Sequence, residues 1–320
     1  MTKLRAGVIG VGSLGQHHAR LYATGPHATL AGVVDADGAR ARQVAEKHGS
    51  RVFESAEALL RAVDLVSVAV PTSEHYQVAR RCLEAGVPTL VEKPLAATVK
   101  EAQELATLAR SRGVALQVGH IERFNPVLRA ARPFIRRPAF IECHRLSPFG
   151  VRGTDVDVVL DLMIHDLDMV LSFNPGSIED IRAAGVPVLT ATNDIANARI
   201  EFSSGCVANL TASRVSTSRM RRMRLFQREA YVSVDYQTRQ GIVCRRGVDA
   251  SGAPTLHTDA LHGGEDEPLK LEIEAFLQAV ASRTQPPVTG DDGVAAMELA
   301  GRVLEAIGLF LERHRQESAE

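Results

Sequence analysis

The chain has no tryptophan, and aromatic residues make up only 4% of its 320 residues. Its cores must therefore rest on Val, Leu, Ile and Ala, which suits the aliphatic strands of parallel α/β sheets, although many folds tolerate it. Cysteine is scarce too. Cys82, Cys143, Cys206 and Cys244 lie far apart with no C-x-x-C pair. That spacing argues against a zinc site or a disulfide framework, so no metal is expected and a reducing cytoplasm is the natural home. No segment approaches the roughly 18–20 continuous apolar residues of a membrane span. The basic start Met1-Thr2-Lys3-Leu4-Arg5 leads into a short, glycine-rich apolar run that stops at Gln16-His17-His18, so it reads as strand and turn, not as a signal peptide. Net charge is only −1, which argues against a strongly basic nucleic-acid binder. There is no internal repeat and no low-complexity tract.

What is present is an ordinary globular composition, 45% apolar and 23% charged. At roughly 100–200 residues per domain, the length implies two domains. Ala6–Ile9 reads as a buried strand, followed by Gly10-Val11-Gly12-Ser13-Leu14-Gly15, then Leu14, His18, Leu21 and Tyr22 at helical spacing. A second apolar run, Leu30–Val34, ends at Asp35, twenty residues after Gly15. Strand, G-x-G-x-x-G, helix, strand and acid at these distances form a dinucleotide fingerprint. Gly10 allows the tight turn, Gly12 lets backbone approach a pyrophosphate, and Gly15 lets the helix pack close to the strand. Free N–H groups at the helix start hold phosphate charge. Asp35 is placed to accept from ribose hydroxyls and to repel a 2′-phosphate, which favours NAD over NADP; Arg40 and Arg42 downstream could soften that preference. The bland alternative, an ordinary glycine turn with Asp35 capping a strand, is disfavoured by the combined context.

The alternation continues through helix Ala56–Ala62, strand Val63–Val70, helix Glu74–Ala85, strand Val87–Val91, helix Thr98–Arg112 and strand Val114–Gly119. Strands alternating with helices mean a parallel sheet covered on both faces, with ligands beyond the strand C-terminal ends. Asp35, Pro71, Thr72, Glu92, Lys93 and His120 all fall at such ends, and His75 follows closely. Apart from His120, these residues, with Gly10, Gly12, Ser13, Leu14 and Gly15, are the cofactor-side candidates. A lysine beside a nicotinamide can bind and polarise a substrate oxygen, which makes Lys93 a catalytic candidate; a solvent-facing lysine is the alternative.

The pattern then changes. Phe124–Ile135 reads as a helix interrupted by prolines, Ala139–Arg145 as a strand, and Val156–Leu171 as an apolar helix with Asp161, His165 and Asp168 on one face. A neutral imidazole there can accept an alcohol proton, with Asp161 one turn away to orient it or to hold substrate. A polar stripe that merely faces water is the alternative. Strand-like runs follow at Ile178–Leu189, Ala196–Phe202, Cys206–Ser213, Arg222–Gln227, Ala230–Tyr236 and Gly241–Arg245, which predicts an antiparallel sheet. Helices are expected at Glu267–Ser282 and Asp292–His314. Arg214, Arg219, Arg221, Arg222, Arg224 and Arg228 form a basic stretch. It reads as a solvated strand face or an oligomer contact, with a substrate phosphate as a third possibility; the near-neutral total argues against nucleic acid. The expected architecture is α/β: a Rossmann dinucleotide-binding domain over 1–119, then an α+β substrate and oligomerisation domain over 120–320 with a large open, mainly antiparallel sheet. An open sheet face wants a cover, so a homodimer or homotetramer is expected.

At Gly10–Gly15, Glu92-Lys93-Pro94 and Asp161-Leu162-Met163-Ile164-His165 together, the chain resembles the Gfo/Idh/MocA family of sugar oxidoreductases. That resemblance implies hydride transfer between a sugar carbon and a nicotinamide. Carried over, it makes Lys93 the motif lysine, Asp161 and His165 the acid and base positions, and His165 the group that removes the hydroxyl proton. The stretches Val118–Pro126, His144–Phe149, Arg152–Asp161 and Asp194–Arg199 resemble the branch containing UDP-N-acetylglucosamine 3-dehydrogenases. It implies a 3-keto nucleotide sugar, passed to a partner aminotransferase that makes the 3-amino sugar of lipid A. It also implies His120, Arg123, Asn125, Arg145 and Arg152 as substrate contacts, the arginines suiting a diphosphate. An inositol or free-sugar dehydrogenase of the same family stays open, as does a nicotinamide-sensing protein without turnover, against which Lys93, Asp161 and His165 count.

Overall fold

The computed structural model describes residues 3–150 and 156–317. The chain divides into two compact units, Met1–Ile121 with Glu267–Met297, and Glu122–Asp266 with Glu298–Glu320.

In the first unit the elements run β1 (Leu4–Ile9), α1 (Gly15–Thr24), β2 (Ala28–Val34), α2 (Gly38–His48), β3 (Arg51–Val52), α3 (Ala56–Leu60), β4 (Leu65–Val68), α4 (Thr72–Glu84), β5 (Thr89–Glu92), α5 (Val99–Arg112) and β6 (Leu116–Gly119). The sheet order is β3-β2-β1-β4-β5-β6 and every pairing is parallel. Every residue of β4, β5 and β6 is buried, as a sheet covered on both faces requires. The expected Rossmann alternation is therefore present. The order reverses beside β1, between its neighbours β2 and β4, and ligands of such sheets bind at that reversal.

Local chemistry sets the helix ends. Asp37 caps α2 by accepting from the N–H groups of Ala39 and Arg40, and Gly49 ends it in the left-handed region. Thr98 and Glu101 form a capping box on α5. The expected alternation does not include α2 or the short β3, although Asp37, the spacing of Ala41, Val44 and Ala45, and Gly49 mark α2 locally.

The second unit begins with a 3₁₀ turn at Ile121–Phe124, then α6 (Pro126–Ala131) and β7 (Phe140–Leu146). A π-helical turn at Val159–Met163 leads into α7 (Ile164–Leu171). Then come β8 (Ile178–Val186), β9 (Ile195–Phe202), β10 (Val207–Ser213), β11 (Met220–Gln227), β12 (Ala230–Asp235), β13 (Gln240–Val248) and β14 (Pro254–His262). They form one sheet in the order β14-β13-β12-β11-β7-β10-β9-β8, antiparallel except where β7 and β10 run parallel. Burial alternates along β7 and β9, so one face packs the core. Ile141, Cys143, Leu210, Met223 and Val232 lie there with Met163, Leu167 and Val170 of the helical segment. Strand β14 was not anticipated. It is an edge strand exposed at most positions, so it lacks the apolar alternation that marks a half-buried strand.

Helix α8 (Pro268–Ser282) belongs to the first unit, and α9 (Gly290–Glu317) has residues in both. The expected single α-helix over 156–171 is corrected: residues 159–163 are π-helical. The wider π turn carries more residues per turn, so residues before it face differently from a straight continuation.

Candidate active site

The dinucleotide candidates gather at the C-terminal edge of the parallel sheet. Gly10 has φ +83°, and a Cβ there would lie 2.7 Å from the Ala69 carbonyl oxygen. A Cβ on Gly15 would lie 1.8 Å from the Gly10 oxygen, so α1 can pack this close only with glycine at its first position. At Gly12 a Cβ would meet nothing within 4 Å, which leaves open space beside the backbone there. Leu14 is exposed and Ser13 lies in the same turn. No side chain caps the start of α1 and its first turn has no acid, so its positive end is open to an anion. These residues fit the pyrophosphate of NAD.

Asp35 fits the ribose. Its Oδ2 accepts the Val11 N–H at 2.7 Å, and its Oδ1 accepts from Asp37 N–H at 2.8 Å and Arg40 Nη2 at 2.9 Å. Burial alone would raise its pKa, but these donors together hold it below the ordinary carboxylate value. A carboxylate offers about four acceptor sites, so one remains for a hydroxyl.

Pro71 and Thr72 open α4, whose start also has no side-chain cap. His75 is buried in its first turn, with Nδ1 2.7 Å from the Pro94 oxygen and Nε2 2.9 Å from the Val70 oxygen. Its ring thus sits between the segment after β4 and the segment after β5. Burial lowers its pKa, and the two carbonyls oppose that only in part.

Glu92 is 8% exposed and turned inward. Its Oε1 lies 2.9 Å from His18 Nε2, and its Oε2 accepts the Lys93 N–H at 3.3 Å. His18 Nδ1 lies 3.1 Å from Ser67 Oγ, which lies 2.8 Å from the Tyr22 hydroxyl. With the imidazole proton on Nε2 the chain has one direction: Tyr22 donates to Ser67, Ser67 to His18, and His18 to the carboxylate. Burial would raise the pKa of Glu92, but the His18 bond and the Lys93 charge keep it lowered. Helical spacing already put His18 and Tyr22 on α1, but their link to Glu92 was not legible. Lys93 is half-buried and its bond to Pro94 is cis. His120 is buried just after β6.

In the second unit, Asp161 and His165 are half-buried while Asp168 is buried. Within α7, His165 and Asp168 keep the i, i+3 spacing of one face, while Asp161 lies in the π turn before them. Arg123 binds the Asp168 carboxylate through Nε and Nη2, at 2.8 and 2.7 Å. Arg145 is 3% exposed; Nε and Nη2 each lie 2.9 Å from Asp166, and Nη1 lies 3.0 Å from Glu122. Burial would lower the Arg145 pKa, but Asp166 and Glu122 raise it instead. Burial raises the Asp166 pKa; Arg145 opposes this and Glu122 adds to it. Asn125 donates to Glu122 Oε2 and the Tyr236 oxygen, and its Oδ1 caps α6. Arg123, Asn125 and Arg145 are thus engaged by protein groups; Glu122 and Asp166, which hold Arg145, were not singled out in sequence. Arg152 lies outside the described residues. Among the described residues, no group of three or more His, Cys, Asp or Glu is placed to hold a metal ion. Nor is any described helix long and apolar enough to cross a membrane.

The family model for the oxidoreductase family with NAD-binding Rossmann fold matches residues 4–120, and the GFO/IDH/MocA C-terminal domain model matches residues 137–233. UDP-N-acetylglucosamine 3-dehydrogenase of Acidithiobacillus ferrooxidans is 40% identical over 315 residues, covering 98% of this chain and 100% of that protein. A solved structure of that enzyme, GnnA, superposes with a TM-score of 0.92 over 97% of this chain and 99% of its own, at 40% identity. Inositol 2-dehydrogenase of Rhizobium meliloti is 26% identical over 322 residues, covering 95% of this chain and 97% of that protein. The chain therefore belongs to the Gfo/Idh/MocA family of oxidoreductases and carries the family's NAD-binding Rossmann domain.

Proposed function

We propose that this protein oxidises the C3 hydroxyl of UDP-N-acetylglucosamine to the 3-keto sugar with NAD as oxidant. The observation that carries the reading is the end-to-end likeness to the Acidithiobacillus ferrooxidans UDP-N-acetylglucosamine 3-dehydrogenase, whereas the inositol dehydrogenase is more distant. NAD, held by the Gly10–Gly15 turn and Asp35, supplies the hydride acceptor. The chain's own residues handle the proton. His165 takes it from the hydroxyl, Asp161 orients the imidazole or the sugar, and the Lys93 ammonium stabilises charge on the oxygen. The first unit is assigned the dinucleotide, the second the sugar and the contact between copies.

The same reading extends to the chain's setting. The keto product suits an aminotransferase that makes a 3-amino sugar for lipid A. The cysteines are free thiols, in keeping with a cytoplasmic protein. A homodimer or homotetramer would cover the sheet face opposite the core, where Phe226 stacks against Phe140 and Tyr231 with centroids 5.6 and 4.8 Å apart; light scattering on the purified protein gives the mass that decides this.

The test is NADH formation from NAD and UDP-N-acetylglucosamine with a carbonyl trap, beside free N-acetylglucosamine and inositol. Signal with the UDP-sugar alone is expected, lost by about 10²-fold or more in His165→Ala while NAD binding persists. Turnover of a free polyol instead overturns the substrate. Silence with all three, with NAD still bound, favours a nicotinamide-sensing protein.

A further inference from the structure

Asp194, which heads the run to Arg199, and Arg214, which opens the basic stretch, meet in the second unit. Arg214 is 4% exposed and Asp194 is fully buried. Arg214 Nε lies 3.0 Å from Asp194 Oδ1. Its Nη2 donates to the carbonyls of Val156 at 2.7 Å and Asn193 at 2.8 Å, and to Thr192 Oγ1 at 3.2 Å. Asp194 Oδ2 gathers the N–H groups of Val188, Leu189 and Thr190 at 2.8, 2.6 and 2.9 Å, while Oδ1 accepts the Thr190 hydroxyl at 2.8 Å. The loop between β8 and β9 is thus folded around one carboxylate.

The same loop and Arg214 together grip the lead-in to the π turn at successive residues. Val156 is held through its carbonyl by Arg214. Asp157 Oδ2 accepts the backbone N–H and the side-chain amide of Asn193, at 3.1 and 2.7 Å, while its Oδ1 caps the Val159 N–H at 2.9 Å. The Val158 N–H donates to the Asn193 carbonyl at 3.2 Å. Asp161 and His165 follow within two turns. A π turn is a rare backbone state compared with the α-helix, so contacts outside it have to hold its first residues in register.

We propose that Arg214 is a positioning residue for the reaction: with Asp194 and Asn193 it fixes the register of the π turn, and so the placement of Asp161 and His165. The inference rests on the reading of His165 as proton acceptor. A buried ion pair is weak evidence for stability alone, since apolar replacements often do as well. What a guanidinium supplies is several fixed donor directions from one plane. Here it spans a carboxylate, two carbonyls and a hydroxyl on two chain segments, which a lysine ammonium cannot reproduce.

The test uses the full-length protein with Arg214→Lys and Arg214→Ala. Both are expected to bind NAD as the wild type does. kcat with UDP-N-acetylglucosamine is expected to fall about 10- to 100-fold, as for a small misplacement of a catalytic group, with KM for the sugar unchanged. Added guanidinium ion should restore part of kcat in Arg214→Ala, and methylammonium should not. The NMR signals of the His165 ring, identified by their loss in His165→Gln, are expected to shift in Arg214→Lys. If an Arg214 variant does not fold, Asn193→Ala removes one arm of the clamp and takes the same measurements. A folded Arg214→Lys protein with wild-type kcat and wild-type His165 signals overturns the proposal. Absence of turnover in the wild-type protein counts against the substrate reading alone, because the ring signals report the His165 setting without turnover.

Discussion

Arg40 Nη2 lies 2.9 Å from Asp35 Oδ1, so this arginine beyond the second strand is already paired with the acid of the dinucleotide fingerprint. The sequence allowed Arg40 to soften a preference for NAD. Under the proposed function the pairing makes the two residues one device, in which Asp35 would both offer its carboxylate to the ribose and occupy the cation that a 2′-phosphate would seek. Asp35→Ser is expected to weaken NAD binding by the worth of a charged hydrogen bond, about 1.5–3 kcal/mol, or roughly 10- to 150-fold in Kd. NADP binding should tighten in the same variant as Arg40 is released. Titration of both dinucleotides by protein fluorescence or calorimetry checks this, and equal weakening of both would refute it.

Glu92 depends on His18 in the interior of the first unit. His18→Leu removes the donor to a buried carboxylate and is expected to cost about 1.5–3 kcal/mol. The sign with pH follows from the lowered Glu92 pKa. The bond stabilises above the ordinary glutamate value of 4.5, and that gain fades as pH falls through the folded-state value. Denaturant unfolding of wild type and variant should therefore differ most near neutral pH and converge in acid.

Arg145 separates a structural role from a substrate contact. With Glu122 and Asp166 both on its guanidinium, Arg145→Met leaves two buried carboxylates without that cation and should cost about 3–5 kcal/mol. The expected signature is a lower thermal midpoint, partly recovered in mild acid as Asp166 takes up a proton. A stable variant whose main defect is a raised KM for the sugar would instead make Arg145 a substrate contact.

Asp194 sets an acid limit on the second unit. Burial alone would raise its pKa, but the N–H groups of Leu189, Thr190 and Val188 and the Thr190 hydroxyl bring it down to about 2. A folded pKa below the unfolded one stabilises above the unfolded value of 3.8, and that contribution is lost as pH falls towards 2. Asp194→Asn should be less stable than wild type at pH 7 and show a shallower loss between about pH 4 and pH 2. Parallel pH profiles for the two proteins would contradict the assignment.

By itself the sequence determined what depends on local spacing. G-x-G-x-x-G after a strand, with Asp35 twenty residues on, specifies a dinucleotide turn because each glycine answers a short-range steric demand. Alternating strands and helices specified the parallel sheet, and runs of strands the second one, because hydrophobic periodicity is a property of neighbours in the chain. The tertiary structure alone decided which polar groups meet. Arg145 and Arg123 read as diphosphate ligands in sequence, and only folding brings Asp166, Glu122 and Asp168 onto them. Asp194 and Arg214 stand twenty residues apart, and nothing in that spacing pairs them until the β9–β10 hairpin brings them together. The π turn at 159–163 is equally silent, since its residues suit an ordinary helix. A buried charge selects its partner by proximity in space and by the cost of leaving it unpaired, and neither quantity is written in the spacing of residues along the chain.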